Sequence, residues 1–307
     1  MAKPLTTIPY VTDTSAPYGE LQLISPLLRR VLCNNPSPYT YTGTATHIVG
    51  NGTCAIIDPG PNDKKHLDAI VNALRGDKVS HILVTHTHRD HCEGARALSV
   101  LTGAPIYAIG PHPTYDDPEF EGDTAVEEGA DTTFTPDNTI IDKQVFEGPD
   151  WTIYTLHTPG HTANHACFVL MEENACFTGD HIMGWSTSII SPPDGNVADY
   201  MTNLRRIRAM DFSILRPTHG PAIEAPSRFI DAIAKHRMAR EQKILKAIID
   251  GKSDLMEIVK VVYTDVPDAF HLAAARSTLA HIIHLKDKGL IKTKGKTLFS
   301  SKFTPVN

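Results

Sequence analysis

The hydrophobic and polar positions of this chain follow two patterns, and each pattern predicts a different element. Short apolar runs bounded by turn residues predict strands, whereas apolar positions spaced three and four residues apart predict helices. In the first 225 residues, strands followed by a helix occur twice, with hairpins in each half. This order favours two sheets with helices on their outer faces, because each sheet then buries both of its apolar faces.

The elements of this part can be placed from the same patterns. Strands are predicted at residues 44–49, 54–57, 79–84, 105–109, 143–146, 151–156, 166–170, 175–177 and 212–216, and helices at residues 67–74, 93–101 and 199–210. The first two strands are joined by Gly50-Asn51-Gly52, which is a hairpin signal. Periodicity is lost between residues 110 and 138, which predicts either disorder or a binding loop over a site.

The pattern changes after Ala225, where a long amphipathic helix is predicted to run to Ile249 with Ser227 as its N-cap. Further helices are predicted at residues 255–263 and 270–286. Two strands at residues 290–293 and 297–299 would then form a hairpin around Lys294-Gly295-Lys296. The sequence therefore predicts a first domain over residues 1–225 and a small winged-helix-like domain over residues 226–307.

Charge is divided unequally between these two parts. Residues 226–307 contain 15 basic and 8 acidic residues, a net charge of +7, whereas residues 1–225 contain 27 acidic and 14 basic residues, a net charge of −13. Only the C-terminal part therefore has a charge that favours a polyanion such as RNA. The positive charge is weak evidence by itself, because solvated helix faces also carry lysine and arginine.

Other features of the composition predict a cytoplasmic protein without membrane contact. No apolar run approaches the length of a membrane span, and residues 1–9 lack the apolar centre of a secretory signal. The five cysteines are scattered and odd in number, which favours reduced thiols over disulfides. Cys92, although it follows a histidine-rich segment, is predicted to be a buried structural thiol.

The candidate chemistry is concentrated in Thr85-His86-Thr87-His88-Arg89-Asp90-His91, directly after a predicted strand. Neutral imidazole and ionised carboxylate are the ligands that zinc and similar divalent metals prefer. On a loop that leaves a strand, His86 and His88 can point to one side while Asp90 and His91 turn toward a neighbouring point. This spacing favours two metal ions over one.

Three further segments place a single histidine or aspartate beside glycine at the end of an apolar run. They are Thr158-Pro159-Gly160-His161, Phe177-Thr178-Gly179-Asp180 and Pro217-Thr218-His219-Gly220. Glycine at such places permits tight turns and close approach of the backbone. Each segment alone is more typical of a structural residue, but together with the central segment they predict one site at a sheet edge.

With Asp58-Pro59-Gly60 before them, these segments resemble the metallo-β-lactamase superfamily from about His47 to Gly220. The resemblance implies an α/β fold, an αββα sandwich, with a dinuclear zinc site. One zinc ion would be bound by His86, His88 and His161, the other by Asp90, His91 and His219, and Asp180 would bridge them. Asp58 would orient the ligand loop. The resemblance leaves open whether divalent metals other than zinc are bound.

The C-terminal part narrows the resemblance. A winged-helix-like tail, together with residues 179–184 and 191–195, is similar to the β-lactamase-like protein 2 group. Members of that group are regarded as metal-dependent hydrolases, and an animal member as a single-strand endoribonuclease. The family resemblance thus implies an enzyme, and leaves the class of substrate open.

A dinuclear zinc site makes hydroxide available between the ions near neutral pH, for attack on a carbonyl or phosphoryl centre. Asp90 is the predicted catalytic residue, which orients the nucleophile and accepts its proton. His165 and His181 are candidates to protonate the leaving group, although a structural role is favoured for each. Trp185, Tyr115 and residues 184–196 are candidates for the pocket, but packing explains them equally well, so the substrate-binding residues stay unknown.

The predicted function is hydrolysis of a small ester, thioester or lactone, favoured by the acidic first domain and the long loop. The alternative is an endoribonuclease of single-stranded RNA, favoured by the basic tail. Hydrolysis of β-lactams ranks last because no export signal is visible. Two further possibilities are left open: a non-enzymatic binding protein that metal stabilises, and a homo-oligomer. The absence of a G-x-S-x-G motif excludes the nucleophile elbow of a serine hydrolase.

Overall fold

A computed structural model describes residues 7–115, 129–264, 266–267 and 271–306 of the chain. Seven strands form the first sheet in sequence order: β1 (Gln22–Leu23), β2 (Leu28–Leu32), β3 (Ala45–Val49), β4 (Thr53–Ile57), β5 (Lys78–Leu83), β6 (Ile106–Ala108) and β7 (Asn138–Thr139). Strands β1 to β4 are antiparallel, and β4 to β7 are parallel. The parallel half brings successive strand ends to one edge of the sheet.

The second sheet contains five strands: β8 (Val145–Glu147), β9 (Thr152–His157), β10 (Ala166–Leu170), β11 (Ala175–Gly179) and β12 (Ile214–Pro217). Their order in space is β12-β11-β10-β9-β8. Only the pair formed by β11 and β12 is parallel among these described strands. The last two strands therefore end on the same side, as the parallel strands of the first sheet do.

Seven α-helices complete the described fold: α1 (Lys64–Leu74), α2 (Arg89–Cys92), α3 (Ala95–Thr102), α4 (Val197–Ala209), α5 (Pro226–Ile249), α6 (Leu255–Val262) and α7 (His271–Asp287). Asp63 caps α1 by accepting a hydrogen bond from the backbone N–H of His66. Helices α1 and α3 pack on the outer face of the first sheet, and α4 and α5 on that of the second.

The period of two along each strand places alternate residues in different layers. In β10, Phe168 and Leu170 lie between the two sheets, whereas Cys167 and Val169 face α4. In β4, Ile57 lies between the sheets, and the residue before it, Ile56, lies on the opposite face. The predicted αββα sandwich is confirmed.

The C-terminal part is the predicted winged-helix-like arrangement. Helices α6 and α7 and the end of α5 bury a separate apolar core, which is closed by strands β13 (Ile291–Lys292) and β14 (Thr304–Pro305). The strand predicted at residues 297–299 is wrong, because β13 pairs with β14 and Leu298 and Ser301 form a turn. Phe303, which is 1% exposed, supplies the apolar anchor of this edge.

Helix α5 belongs to both parts of the molecule. Phe229 and Ile233 pack into the core beneath α4, whereas Ile244 and Ile248 pack against α6 and α7. The domain boundary between residues 225 and 226 stays a prediction. The prediction that Ser227 is the N-cap of α5 is wrong. Ala225 is the N-cap, because Pro226 occupies the first turn. The hydroxyl of Ser227 donates a hydrogen bond to Asp211 instead.

The aperiodic region between residues 110 and 138 is described only in part, because residues 116–128 lie outside the described residues. On its far side Ala130 forms a bridge with His88, so this end returns to the central segment. All five cysteines are buried and none forms a disulfide. Among the described helices, none has both the length and the apolar character needed to cross a membrane.

Candidate metal centre

Four connections converge at one end of the two sheets, and each carries predicted ligand residues. They follow β5, β9, β11 and β12 at their carboxyl ends, where the sheet topology brings the chain to the same edge. All seven residues are buried and none is more than 8% exposed: His86, His88, Asp90, His91, His161, Asp180 and His219. The central segment is not all loop, because Asp90 and His91 lie on one helical turn, α2.

The first group of ligand atoms comes from His86, His88 and His161. His88 Nδ1 lies 3.0 Å from His86 Nε2 and 3.2 Å from His161 Nε2. Ligand nitrogens about 2.05 Å from a tetrahedral zinc ion would lie about 3.3 Å apart. Two of the three nitrogen separations are therefore close to the distance that one ion would impose, and all three ligand atoms lie within 4.8 Å of one another.

The second group comes from Asp90, His91 and His219. His219 Nε2 lies 3.2 Å from His91 Nε2 and 3.1 Å from Asp90 Oδ2, and the remaining separation, between His91 Nε2 and Asp90 Oδ2, is 3.5 Å. These separations match the same tetrahedral edge. The spacing of the central segment predicts two groups, and a further set of ligand atoms, from His86, His91 and Asp180, spans both of them.

Asp180 lies between the two groups. Its Oδ1 is 3.4 Å from His219 Nε2 and 3.6 Å from His91 Nε2, while its Oδ2 is 3.9 Å from His161 Nε2. Both Asp90 Oδ1 and Asp180 Oδ1 are buried without a hydrogen-bond partner. Because a buried carboxylate oxygen without a partner is costly, these atoms fit a site built for cations.

Asp58, which directly follows β4, joins two of the converging segments. Its Oδ1 accepts a hydrogen bond from Thr85 N, and its Oδ2 accepts from Thr85 Oγ1, Thr218 Oγ1 and His91 Nδ1, each at 2.8 Å. The last bond places the proton of His91 on Nδ1 and leaves Nε2 to face the second group. The predicted orienting role of Asp58 has this geometry in its support.

Two other histidines are oriented by backbone carbonyls. His161 Nδ1 donates to the carbonyl oxygen of Ile189 at 2.7 Å, and His219 Nδ1 donates to that of Gly43 at 3.2 Å. In each case the opposite nitrogen, Nε2, is presented to its group. Neither carbonyl was predicted, because a backbone oxygen carries no signal in the sequence.

The pKa shifts in the cluster reflect burial and the nearby carboxylates. Burial and the neighbouring imidazoles hold the pKa of His86 well below its usual value, so this side chain is in the neutral form that binds metals. For His91 burial lowers the pKa, but Asp90 and Asp180 outweigh burial and raise the pKa well above its usual value. The negative charge that attracts a proton to His91 would equally attract a divalent cation.

The two candidate leaving-group acids, His165 and His181, do not line the cavity beside the ligand residues. Both are fully buried. His165 Nε2 accepts a hydrogen bond from the backbone N–H of Asp180, and its Nδ1 contacts Thr158 Oγ1. His181 packs on the ring of Tyr200, and burial lowers the pKa of His181 to about 3. The structural role favoured for both is the one that the contacts support.

A small cavity of about 30 Å³ opens over the two groups, and the residues that line it are Tyr39, His88, Asp90, His161, Asp180, Met183 and Ile189. Neither Trp185 nor Tyr115 lines this cavity. Trp185 stacks on Tyr41 with ring centroids 4.9 Å apart, and the hydroxyl of Tyr115 donates to Asp194. Tyr39 lies in a turn far from every motif, so no sequence signal could have identified it.

Known protein families match both parts of this chain. The family described as the metallo-beta-lactamase superfamily matches residues 39–219, and the beta-lactamase associated winged helix domain matches residues 255–299. An atrochrysone carboxyl ACP thioesterase from Paecilomyces divaricatus is 32% identical over 83% of this chain and 75% of its own. A beta-lactamase-like protein 2 homolog from Caenorhabditis elegans is 29% identical over 89% of this chain and 88% of its own.

Solved structures show the same fold at lower identity. A beta-lactamase domain protein from Burkholderia ambifaria superposes with a TM-score of 0.80 at 18% identity, over 96% of both chains. A metallo-beta-lactamase family protein from Thermus thermophilus superposes with a TM-score of 0.73 at 20% identity, over 92% of this chain and 100% of the other. Both similarities extend beyond the αββα part, because they include most of the C-terminal helices.

Proposed function

This chain belongs to the metallo-beta-lactamase superfamily of hydrolases, and we propose that it uses two divalent metal ions, zinc by preference, to hydrolyse a small thioester or a related ester or lactone. One observation carries this proposal. Two groups of three ligand atoms lie side by side with the carboxylate of Asp180 between them, and two buried carboxylate oxygens face the space where cations would lie.

The donor atoms fit a pair of zinc ions. His86, His88 and His161 would hold one ion, and Asp90, His91 and His219 the other, with Asp180 shared. Nitrogen and carboxylate oxygen donors in this ratio suit zinc, and manganese or iron would be weaker fits. When bound, the two ions would supply a water of lowered pKa and a Lewis acid for the substrate carbonyl.

The protein side chains would position the reactants. Asp90 offers Oδ2 to the second group, so its unpartnered Oδ1 is left to accept a proton from the attacking water. Met183 and Ile189 give the cavity apolar walls that suit an acyl chain, and the phenol of Tyr39 would donate a hydrogen bond to the substrate. No other described residue that lines the cavity carries a hydroxyl.

An acyl substrate is favoured over a phosphate chain on three grounds. The first 225 residues carry a net charge of −13, which repels a polyanion. A relative that aligns with most of this chain is named a thioesterase. A thioester also presents a carbonyl carbon to the nucleophile without any charge at the reacting group.

The test combines metal analysis with parallel assays. The purified protein should bind about two equivalents of Zn²⁺, and it should hydrolyse an acyl-N-acetylcysteamine thioester faster than a lactone or single-stranded RNA. Asp180→Asn should weaken both ions and reduce the rate by about 100-fold or more. The control is Asp68→Asn, which removes the same charge from an exposed position on α1. A protein that binds one ion tightly, or none, would contradict the proposal.

Cleavage of single-stranded RNA is the second candidate, and one surface favours it. Lys292, Lys294, Lys296 and Lys302 surround an open hollow of about 1030 Å³ beside β13 and β14. An RNA substrate held there would lose affinity steeply as salt rises, because its counterions are released on binding. RNA turnover that falls at least tenfold between 50 and 200 mM salt, with no thioester turnover, would select this function instead.

A further inference from the structure

A short segment, Ser188–Ser191, runs between the candidate metal centre and the C-terminal helices. On one side its Ile189 carbonyl accepts the hydrogen bond from His161 Nδ1 at 2.7 Å. On the other side Ile190 is fully buried in the core that α4 and α5 share. This segment, which we call the 188–191 segment, therefore contacts a predicted ligand and the C-terminal part at once.

Two arginines of the C-terminal part bond to the ends of this segment. Arg237 of α5 is 5% exposed, and its Nη2 donates to the carbonyl oxygen of Ser188. Arg276 of α7 is 8% exposed, and its Nη1 donates to Ser191 Oγ at 3.3 Å. The guanidinium of Arg237 also lies over the ring of Tyr200, 4.7 Å from its centroid.

Because both arginines are buried, the loss of either contact would be costly. A guanidinium has a fixed planar geometry and is always charged, so a buried one that loses an acceptor leaves a desolvated N–H group without that partner. Arg237 and Arg276 therefore hold both ends of the 188–191 segment, and the Ile189 carbonyl lies between the two points.

We propose that Arg237 and Arg276 are positioning residues, through which the C-terminal helices hold the Ile189 carbonyl against His161 and so orient one half of the metal centre. The inference rests on the proposed metal-dependent function. It gives the C-terminal part a role in assembling the site, in addition to any surface that it offers to a partner.

The two halves of the centre differ in this respect. His161 depends on the 188–191 segment for its orientation, whereas His91 and His219 are oriented by Asp58 and by the carbonyl of Gly43. The latter contacts lie wholly within the αββα part. Loss of an arginine contact should therefore weaken the ion held by His86, His88 and His161 and leave the other unchanged.

The test uses the full chain, with Co²⁺ as a spectroscopic probe and Zn²⁺ in competition with a chelator. We expect Arg237→Met to weaken one of the two ions about 10-fold, at the lower end of what loss of an outer hydrogen-bond partner does, and to leave the second within twofold. The Co²⁺ absorption of the weakened site should shift. Arg237→Lys, which retains a donor, should restore part of the affinity.

Arg240→Met is the matched control. Arg240 is a buried arginine on the same helix, 7% exposed, but its Nη1 donates to the carbonyl oxygen of Val262 and its guanidinium lies over Tyr263, 3.8 Å from the ring centroid. These contacts stay within the C-terminal part. Arg240→Met should therefore lower thermal stability as Arg237→Met does, without changing either affinity for Co²⁺.

The outcomes separate this inference from the proposed function. If the wild-type chain binds no pair of ions, the proposed function fails and the inference fails with it. If the wild type binds two ions and Arg237→Met binds them with equal affinity, only the inference is overturned. Should Arg237→Met not fold, Arg276→Gln and Ser191→Ala remove the other contact and carry the same expectation. Equal weakening of the binding of both ions would also overturn the inference.

Discussion

At the scale of single residues, the candidate centre depends on a few buried polar atoms with many contacts. Asp58 shows this most directly, because it accepts four hydrogen bonds from two chain segments, the one at residues 85–91 and the one that contains Thr218, and is itself fully buried. The side chain that orients His91 thus also joins the segments that carry the ligands.

Asp58→Asn tests this role, because an amide nitrogen cannot accept the bonds that Oδ2 accepts. We expect metal affinity to fall about 10- to 100-fold and the free energy of unfolding to fall by about 2 kcal/mol. Competition with a chromophoric Zn²⁺ chelator measures the affinity. Asp63→Asn, which keeps a good N-cap for α1, should change neither quantity appreciably; an unchanged affinity in Asp58→Asn would refute the role.

A buried histidine, His66, makes the stability of the fold depend on pH. His66 is 3% exposed, and burial lowers its pKa to about 4. The unfolded chain takes up this proton near pH 6.5, whereas the folded chain takes it up only near pH 4. Stability is therefore complete above pH 6.5, is lost as the pH falls toward 4, and levels off below that.

The loss at pH 4 should reach up to about 3 kcal/mol. His66→Gln cannot titrate, so its unfolding free energy should fall less between pH 7 and pH 4.5 than that of the wild type. Urea unfolding of the zinc-loaded proteins at several pH values gives this difference. Equal slopes in the two proteins would show that His66 does not contribute.

At the scale of elements, the turn between β9 and β10 fits closely against α4. Gly160, next to His161, has φ +143°, and a Cβ there would lie 2.4 Å from Tyr200 Cα. The N–H of Asn196, at the start of α4, donates to the Gly160 carbonyl, and Asn203 donates to that of Pro159. Helix α4 therefore holds the ligand-bearing turn in place.

Gly160→Ala should displace this turn, because the clash is with backbone and cannot be relieved by a side-chain rotation. We expect a loss of stability of about 3 kcal/mol or more and a loss of hydrolytic activity above 10-fold. The control is Gly52→Ala, where φ is +70° but no heavy atom lies within 4 Å of the added Cβ, so only backbone strain of about 1 kcal/mol is expected. Equal effects in thermal unfolding would exclude the packing explanation.

At the scale of the whole molecule, the site joins elements from both sheets. Its ligand residues come from connections between 86 and 219, so cations at their meeting point would cross-link distant parts of the chain. Removal of the ions leaves buried carboxylates without compensation. Metal binding should therefore contribute to the stability of the fold as well as to the reaction.

Metal removal is the matching experiment. With free Zn²⁺ at about 1,000 times the Kd of each site, each ion contributes about 4 kcal/mol, so chelation of both ions should lower the melting temperature by roughly 10 °C. Scanning calorimetry with and without chelator gives the shift. Asp180→Asn should respond much less to the chelator. No shift in the wild type would show that the cluster does not hold ions under these conditions.

Much of this organisation was readable from local sequence. The apolar runs predicted most of the strands and helices and the winged-helix-like part, and the resemblance predicted the αββα sandwich; both parts are confirmed. The seven candidate ligand residues were identified because four imidazole and carboxylate groups lie within six positions after one strand, and the other three lie beside glycine at the ends of apolar runs. Their roles as ligands, and the domain boundary at residue 225, stay predictions.

Other features depend on contacts between distant parts of the chain. The pairing of β13 with β14 was mispredicted, because Phe299 and Phe303 are equally apolar in sequence and only packing selects Phe303 for the core. Tyr39 reaches the cavity from a turn without any motif. The arginines that hold the 188–191 segment resemble ordinary basic residues of a helix.

The sequence by itself thus determined which chemical groups are available and in which elements they lie, because residue type and periodicity are local properties. Tertiary structure alone decided which backbone carbonyl orients each histidine and which carboxylate oxygen is left without a partner. Those contacts join residues far apart in the chain, and their geometry depends on how the sheets and helices pack.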